Sequence, residues 1–369
     1  MGQIEEFKIN PLPSITWNWL RLNDVNVKWN MDIEPCNIEI KEDNNEKAKD
    51  ADIWGDIKTG AGEAADVIFA GENGKANVAA LSFGNSDNTE AAEAADSNSG
   101  VCEKVVHVDI TSDKTSSAGV LKIHGKENSS VSVIETFGKG GNGSIAFRTL
   151  VQAEKNSRVR LVQIFLEDQT LLNDVGCVCE EKADFEVLQI FAGKGNLYNG
   201  IRTDLKGNKA HTEKSIGYLG QNKQVVDINL VVNHLGKKTG SEIQVDGTLK
   251  DEAEKTFRGT IDFKNGSSQS VGAETENVLL LGDNVVNKTI PVILCAEEDV
   301  EGSHGATIGE LDEETMFYFA SRGIDQELAE DIMTKGKMEV LYRKINDEVT
   351  EKLVEEQLAE VMGYDREEL

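Results

Sequence analysis

The sequence predicts a mainly β core followed by a helical C-terminal segment. Between residues 101 and 295, apolar and polar residues alternate with a period of two in many short runs, which is typical of strands that bury one face. After Gly309 the period changes to that of amphipathic helices. The 34 glycines are scattered along the chain, which indicates many tight turns between short elements.

The strand-like runs follow one another without a segment that has the pattern of a crossover helix. Clear alternation is present in 106–110, 159–161, 226–232 and 243–249, and glycine-rich turns such as 138–143 separate the runs. A sandwich, a barrel and a β-solenoid all agree with this pattern. The residues show no fixed repeat length that would select the solenoid.

Three helices are predicted after the strands. Asp312 is placed to cap the first, which ends before Gly323, and Asp325 to cap the second, which we expect to stop at Gly336. Apolar residues then recur every four positions, which predicts a third helix of about six turns. The recurring residues are Leu341, Ile345, Val349, Leu353, Leu358 and Met362.

We therefore expect an irregular N-terminal region over 1–100, a strand-rich core over 101–296 and a helical domain over 297–369. The formal net charge of −28 argues against nucleic acid and anionic membranes as partners. Residues 297–369 hold 22 Asp and Glu against 7 Lys and Arg. That surface is either a solubilising face or a docking face for a basic partner.

No basic segment leads into an apolar run at the N-terminus, and no stretch is long and apolar enough to span a membrane. We expect a cytoplasmic protein whose five cysteines are free thiols. The chain also lacks a phosphate-binding Gly-x-x-x-x-Gly-Lys-Ser/Thr motif, a Gly-x-Ser-x-Gly motif and a zincin motif, so we expect no enzymatic activity.

Few residues have the pattern of a site. Cys177 and Cys179 share one face of a predicted strand, but a zinc site needs two further ligands. Cys295 and His304 lie nine residues apart, and thiolate with imidazole suits a transition metal or an iron–sulfur intermediate. The spacing alone favours a structural role over a metal site, with Cys295 as a buried core cysteine and His304 in a turn. The other histidines are predicted to lie on the surface or in turns; they are His107, His124, His211 and His234.

Longer motifs change this balance. Segments 279–291, 298–314 and 316–324 resemble the C-terminal signature of the SufB/SufD family, the scaffold proteins of the Suf iron–sulfur cluster assembly system. Segments 233–241 and 257–263 resemble strand motifs of the same family. The resemblance is specific over about 229–336 and weak over the first hundred residues.

The resemblance implies a right-handed parallel β-helix core, which would occupy 101–296, followed by a C-terminal α-helical domain. It also implies a dimer, either with a second copy or with a SufB/SufD paralogue. A SufC-type ABC ATPase is the implied partner of the acidic helices over 312–362. A nascent Fe–S cluster would form at the dimer interface.

The family resemblance also implies site residues. His304 matches the histidine of the family's Ser-His-Gly-Ala-Thr motif, and Cys295 matches a cysteine present in some SufB members. Gly302 stands where many members have cysteine, and Glu276 stands near another cysteine position. The candidate cluster ligands are therefore Cys295, His304 and, more weakly, Glu276. The alternatives are a structural β-solenoid protein or a polysaccharide-active β-helix enzyme.

Overall fold

The computed structural model describes residues 3–16, 21–41, 54, 57–70, 77–83, 104–138 and 143–363. The N-terminal elements are β1 (Ile4–Ile9), β2 (Val25–Asn30), β3 (Glu34–Pro35), β4 (Asn37–Lys41), α1 (Glu63–Ala70) and β5 (Asn77–Phe83). The core strands are β6 (Lys104–Thr111), β7 (Ser116–Gly125), β8 (Ser130–Phe137), β9 (Ser144–Ala153), β10 (Arg158–Phe165), β11 (Thr170–Cys179), β12 (Asp184–Phe191), β13 (Leu197–Leu205), β14 (His211–Gly220), β15 (Val225–His234), β16 (Gly240–Lys250), β17 (Glu254–Phe263), β18 (Ser270–Leu281), β19 (Val286–Cys295) and β20 (Val300–Gly309). The C-terminal helices are α2 (Glu313–Ala320), α3 (Gln326–Tyr342) and α4 (Glu348–Met362).

Strands β6 to β20 alternate between two sheets, and neighbours within each sheet run parallel. Each turn of the chain therefore adds one strand to each sheet, which is a parallel β-solenoid of about seven turns. This confirms the mainly β core with C-terminal helices and selects the solenoid from the three open architectures. At the N-terminal end, β4 pairs antiparallel with β6, while β3 and β5 pair with β7.

The solenoid repeats in geometry rather than in sequence. Arg158 pairs with Asp184, 26 residues further along, whereas Gly240 pairs with Val271, 31 residues further along. At one corner of six successive coils, a non-glycine residue has a positive φ. Its N–H donates to a carbonyl at the same corner of the next coil. These corner residues are Asn128, Asn156, Lys182, Lys209, Lys238 and Gln269. Because Asn, Lys and Gln all serve, the repeat is invisible as a sequence period.

The interior of the solenoid is apolar along most of its length. Phe137, Phe165 and Phe191 stack over one another, with ring centroids 4.8 and 4.4 Å apart. A buried ladder of polar side chains interrupts the apolar packing, and each member hydrogen-bonds to another. Its members are Glu135, Thr149, Gln163, Asn173, Gln189 and Asn199. Buried polar groups are stable only when paired in this way.

Glu135 is the one carboxyl group of this ladder, and it makes stability depend on pH. Burial raises its pKa to about 7, although hydrogen bonds from Gln163 and Thr149 oppose the rise. The folded state thus holds a proton that the unfolded chain releases near its ordinary pKa of 4.5. The stability from this proton is complete below that value and is lost as the pH rises toward 7.

Glu135→Gln is therefore expected to raise the free energy of unfolding at pH 8 by about 1–3 kcal/mol, with little change near pH 4. Glutamine is neutral at both pH values and keeps a carbonyl that can accept from Gln163. Urea unfolding at the two pH values measures the effect, and Glu127→Gln, at an exposed turn position, is the matched control. An equal shift at both pH values would contradict the proposed role of the buried proton.

The N-terminal elements cover the outer face of the sheet that contains the odd-numbered strands from β7 to β19. Ile9, Trp29 and Ile68 pack on Ala146 and Leu172 in one buried cluster. The backbone of Gly60 lies directly on that of Gly200, and a Cβ on either residue would overlap the backbone at the other. The absence of a side chain at both positions allows this close approach.

A buried ion pair joins the same N-terminal segment to the solenoid. Arg258 donates to both carboxylate oxygens of Asp227 at 2.8 and 2.9 Å and to the carbonyl of Leu22. Asn10 donates to Asp227 as well, at 2.7 Å. Both charged side chains are about 1% exposed, so the ion pair is isolated from water.

Helices α3 and α4 cover the outer face of the other sheet. Met338, Leu341 and Val354 form a buried cluster with Val162 and Ile190 of the strands. Arg160 donates to the carbonyls of Lys344 and Ile345, which lie in the turn between the two helices. The helices are thereby held by apolar packing and by a buried guanidinium.

The predicted caps are confirmed, but the boundary between the second and third helices was wrong. Asp312 and Asp325 cap α2 and α3, as expected. Gly336 does not end α3, which continues to Tyr342, and the break follows at Asn346 in the left-handed conformation. The apolar period of four crosses this break, so Val349 is exposed while Val354 is buried. Helix packing decides the break more strongly than the preference of glycine for helix ends.

Because the N-terminal elements and the C-terminal helices cover both outer faces, some residues that the alternation predicts to be exposed are buried. Asp227 and Asn229, expected on an open face, are buried beneath the N-terminal segment. His124 and His234 are also buried, which corrects their predicted surface positions: His124 contacts Glu154, and His234 contacts Thr239 and Ser241. Strand β20 carries the solenoid to residue 309. The division of the chain into regions at 100 and 296 stays a prediction. No helix of the described segments is long and apolar enough to cross a membrane.

Candidate functional site

The C-terminal end of the solenoid is open. Among the described strands, β19 and β20 each have a neighbour in their sheet on one side only, β17 and β18 respectively. Nine of the ten residues of β20 are exposed. An unpaired strand edge offers backbone N–H and C=O groups to another strand.

The sheet register places both predicted ligands of this end on the inner side of the last coil. Cys295 pairs with Phe263, and His304 pairs with Glu274. Paired residues on parallel strands point to the same face, and Phe263 and Glu274 point into the solenoid. Because no further coil of the described chain lies above them, Cys295 and His304 are exposed.

Gly302 also faces the inner side. A Cβ at this position would lie 3.0 Å from Phe263 and 3.2 Å from Ile293. Many members of the family that the sequence resembles have cysteine at this position. A cysteine here would project beside the strand that ends in Cys295. The glycine removes that thiol from this chain.

Glu276 is held by partners inside the solenoid. Its carboxylate forms a buried ion pair with Lys255 and accepts a hydrogen bond from Thr289 at 2.6 Å. Ligation of a metal by Glu276 would require it to leave both partners. Among the residues that the structure describes, no hydrogen bond or ion pair holds the side chain of Cys295 or His304. Ligation by any of the three stays a prediction.

Glu274 is a neighbouring carboxylate that the sequence reasoning did not single out. Burial raises its pKa to about 7, and the nearby charge of Glu276 acts in the same direction. A signal was present, because Glu274 and Glu276 continue the alternation that places Val278 inside the solenoid. Two acids in phase with a core residue indicate a polar end to the core.

Two buried cysteines lie elsewhere in the fold, away from the open end of the solenoid. As predicted, Cys177 and Cys179 lie on the same face of β11, and their sulfur atoms are 3.7 Å apart. Burial raises the pKa of Cys177 and lowers that of Lys214, the adjacent buried amine, to about 8. The Cys177 thiol is therefore kept protonated, and both cysteines lie away from solvent. Among the residues that the structure describes, no three His, Cys, Asp or Glu side chains are arranged to hold a metal.

Helix α2 follows β20 directly and differs from the other two C-terminal helices. None of its residues is buried, and Phe317 and Tyr318 are 75% and 53% exposed. Two neighbouring aromatic side chains on an uncovered helix are typical of a protein-binding surface. This helix thus lies between the open strand edge and the packed α3.

Comparison with known proteins assigns the fold and this end of it to a family. The model of the SufBD core domain, described as SUF system FeS cluster assembly, matches residues 108–337. The chain belongs to the SufB/SufD family. The match includes most of the solenoid, the Cys295–His304 strands and α2.

The curated relatives are similar to shorter segments of this SufB/SufD family member. The iron–sulfur cluster assembly protein SufD of Bacillus subtilis is 28% identical over 142 residues, which cover 38% of this chain and 32% of the relative. SufD of Escherichia coli is 33% identical over 100 residues, covering 27% and 24%. A SufBD family protein of Pyrococcus horikoshii is 30% identical over 155 residues, covering 42% and 34%. The matched segments thus span about a third or less of each of these relatives.

Proposed function

We propose that this chain is a scaffold subunit of the SUF system, which helps to build or transfer a nascent Fe–S cluster at an interface between two subunits. The cluster is cargo in this proposal, and the chain itself catalyses no reaction. Family membership gives the general role. The observation that carries the specific proposal is the open last coil, which exposes Cys295 and His304 beside unpaired strand edges.

A second subunit supplies what one chain lacks. Thiolate is the usual ligand of iron–sulfur clusters, and imidazole replaces it in some of them. One cysteine and one histidine leave a cluster incompletely held, whereas two facing subunits offer four donors. Two subunits that meet through strand edges would also satisfy the unpaired backbone groups of β19 and β20. The second subunit is either another copy or a SufB/SufD paralogue.

The acidic helical segment is the proposed docking surface for a SufC-type ABC ATPase. We assign the apolar anchor of that surface to Phe317 and Tyr318, because both are exposed on a helix that buries none of its residues. Acidic residues around the anchor would attract a basic partner surface. Since α2 directly follows β20, movement of a docked ATPase would act on the strand that holds His304.

Anaerobic reconstitution of the full chain with ferrous iron and sulfide tests the cluster site. Wild-type protein is expected to gain visible charge-transfer absorbance and to retain bound iron after desalting. The double variant Cys295→Ser/His304→Ala should retain at least tenfold less iron, because both proposed donors of each subunit are gone.

His211→Ala, which removes a partly exposed histidine elsewhere on the solenoid, is the matched control and should reconstitute normally. Light scattering on the same samples reports whether the variants still form the dimer. Wild-type absorbance in a dimeric double variant would contradict the assignment of both ligands.

A further inference from the structure

Glu274 is a buried carboxylate without a hydrogen-bond partner among the residues that the structure describes. Its side chain is 4% exposed, and its carboxylate lies against the α-carbon of Gly259, where a Cβ would overlap it. Its oxygens are not among the fully buried polar atoms that lack a partner, so they keep a small contact with solvent. A nearly buried carboxylate of this kind can still accept a hydrogen bond from a donor that approaches from the surface.

The nearby cation does not supply that donor. Lys255 is directed to Glu276, to the Thr289 hydroxyl and to the carbonyl of Lys288. These three acceptors use the three hydrogens of its ammonium group. Glu274 is therefore available to accept from a donor in the other direction, toward the open end of the solenoid.

His304 lies in that direction. It is the register partner of Glu274 on the adjacent strand, so the two side chains leave the sheet on the same face, with the strands about 4.8 Å apart. No hydrogen bond joins them in the described conformation. The His304 ring is exposed, so it can rotate about its side-chain bonds without breaking a buried contact.

We propose that Glu274 is a positioning residue for His304, accepting the hydrogen of one ring nitrogen and leaving the other nitrogen free to bind a metal. The proposal rests on the assignment of His304 as a ligand under the proposed function. A carboxylate behind a ligating imidazole fixes the ring orientation and tautomer and makes the ligating nitrogen more basic. The open end then presents an oriented imidazole nitrogen to iron.

Two variants separate this role from simple packing. Glu274→Met keeps an unbranched side chain of similar length but removes the carboxylate, and Glu274→Gln keeps an acceptor oxygen without the charge. Glu301→Met is the matched control, because Glu301 is an exposed residue of β20 whose register partner is Val271. Circular dichroism and thermal melting verify that each full-length variant is folded.

The first readout is the ring N–H resonance of His304 in protein labelled with ¹⁵N-histidine, assigned by its loss in His304→Gln. A ring N–H held by a buried carboxylate exchanges slowly enough to be observed, whereas that of an exposed ring does not. We expect the signal in wild type and in Glu301→Met, a weaker signal in Glu274→Gln and none in Glu274→Met. Absence of the signal in wild type, or its persistence in folded Glu274→Met, would overturn the proposal.

The second readout is the affinity for Co²⁺, used as a spectroscopic substitute for ferrous iron. Glu274→Met is expected to bind Co²⁺ about 10–100-fold more weakly than wild type, with Glu274→Gln in between. Unchanged affinity in Glu274→Met would also count against the positioning role. If His304→Ala binds Co²⁺ as wild type does, the proposed ligand site fails, and the ring N–H signal still decides separately whether Glu274 holds the imidazole.

Discussion

Replacing Arg258 with methionine is expected to lower the free energy of unfolding by about 3–5 kcal/mol, because it leaves the Asp227 carboxylate buried without its cation. Burial already raises the pKa of Asp227 against the opposing effect of Arg258. The variant also removes the hydrogen bond to the Leu22 carbonyl, which fastens the N-terminal segment to β17. Urea unfolding, followed by far-UV circular dichroism, measures the loss.

The double variant Asp227→Leu/Arg258→Met is the informative comparison. It removes both charges, so it should be more stable than Arg258→Met alone. Arg322→Met, which removes an exposed guanidinium from the helical region, should change the midpoint little. A double variant no more stable than the single one would show that packing, rather than an unpaired charge, causes the loss.

Replacing Phe317 with alanine is expected to weaken binding of a SufC-type ATPase at least about thirtyfold, as for a central aromatic anchor worth about 2 kcal/mol. The result follows from the proposed docking role of α2, on which neither Phe317 nor Tyr318 is buried by the residues that the structure describes. Isothermal titration of the full chain with separately purified ATPase measures the affinity. The fold should be unaffected, since α2 contributes nothing to the buried clusters.

Val349→Ala provides the matched control for that binding experiment. Val349 is 77% exposed, like Phe317, but lies on α4. If Val349→Ala weakens the complex and Phe317→Ala does not, the ATPase docks on α4 and the assignment of the anchor to α2 is wrong. If neither variant has an effect, the partner binds outside both exposed helix faces.

The local elements were largely predictable because their signals lie within a few residues. An aspartate before an apolar run predicts a helix start, and Asp312 and Asp325 both accept hydrogen bonds from their own first turns. Alternation likewise predicted the inner face of the strands, such as Val106 and Val108. Gly336 was misread, because in an exposed helix position glycine costs only about 1 kcal/mol, which tertiary packing overrides.

The candidate site was predictable only in part. The motifs identified Cys295 and His304, whose exposure agrees with a binding role without testing it. They also identified Glu276 without showing that Lys255 and Thr289 hold it. These partners come from β17 and β19, and a contact between distant strands leaves no mark in the residues around Glu276.

The sequence by itself determined the strand and helix types, the helix caps, the membership in the SufB/SufD family and the residues worth testing. Those signals are local periods and motifs. Only the tertiary structure decided which faces are buried, because Asp227 and Asn229 alternate like surface residues until the N-terminal segment covers them. It also decided that the solenoid ends in an open coil. The register between paired strands of the solenoid, whose residues lie 26 to 32 positions apart in the chain, depends on stacking of the corners and not on any short-range pattern.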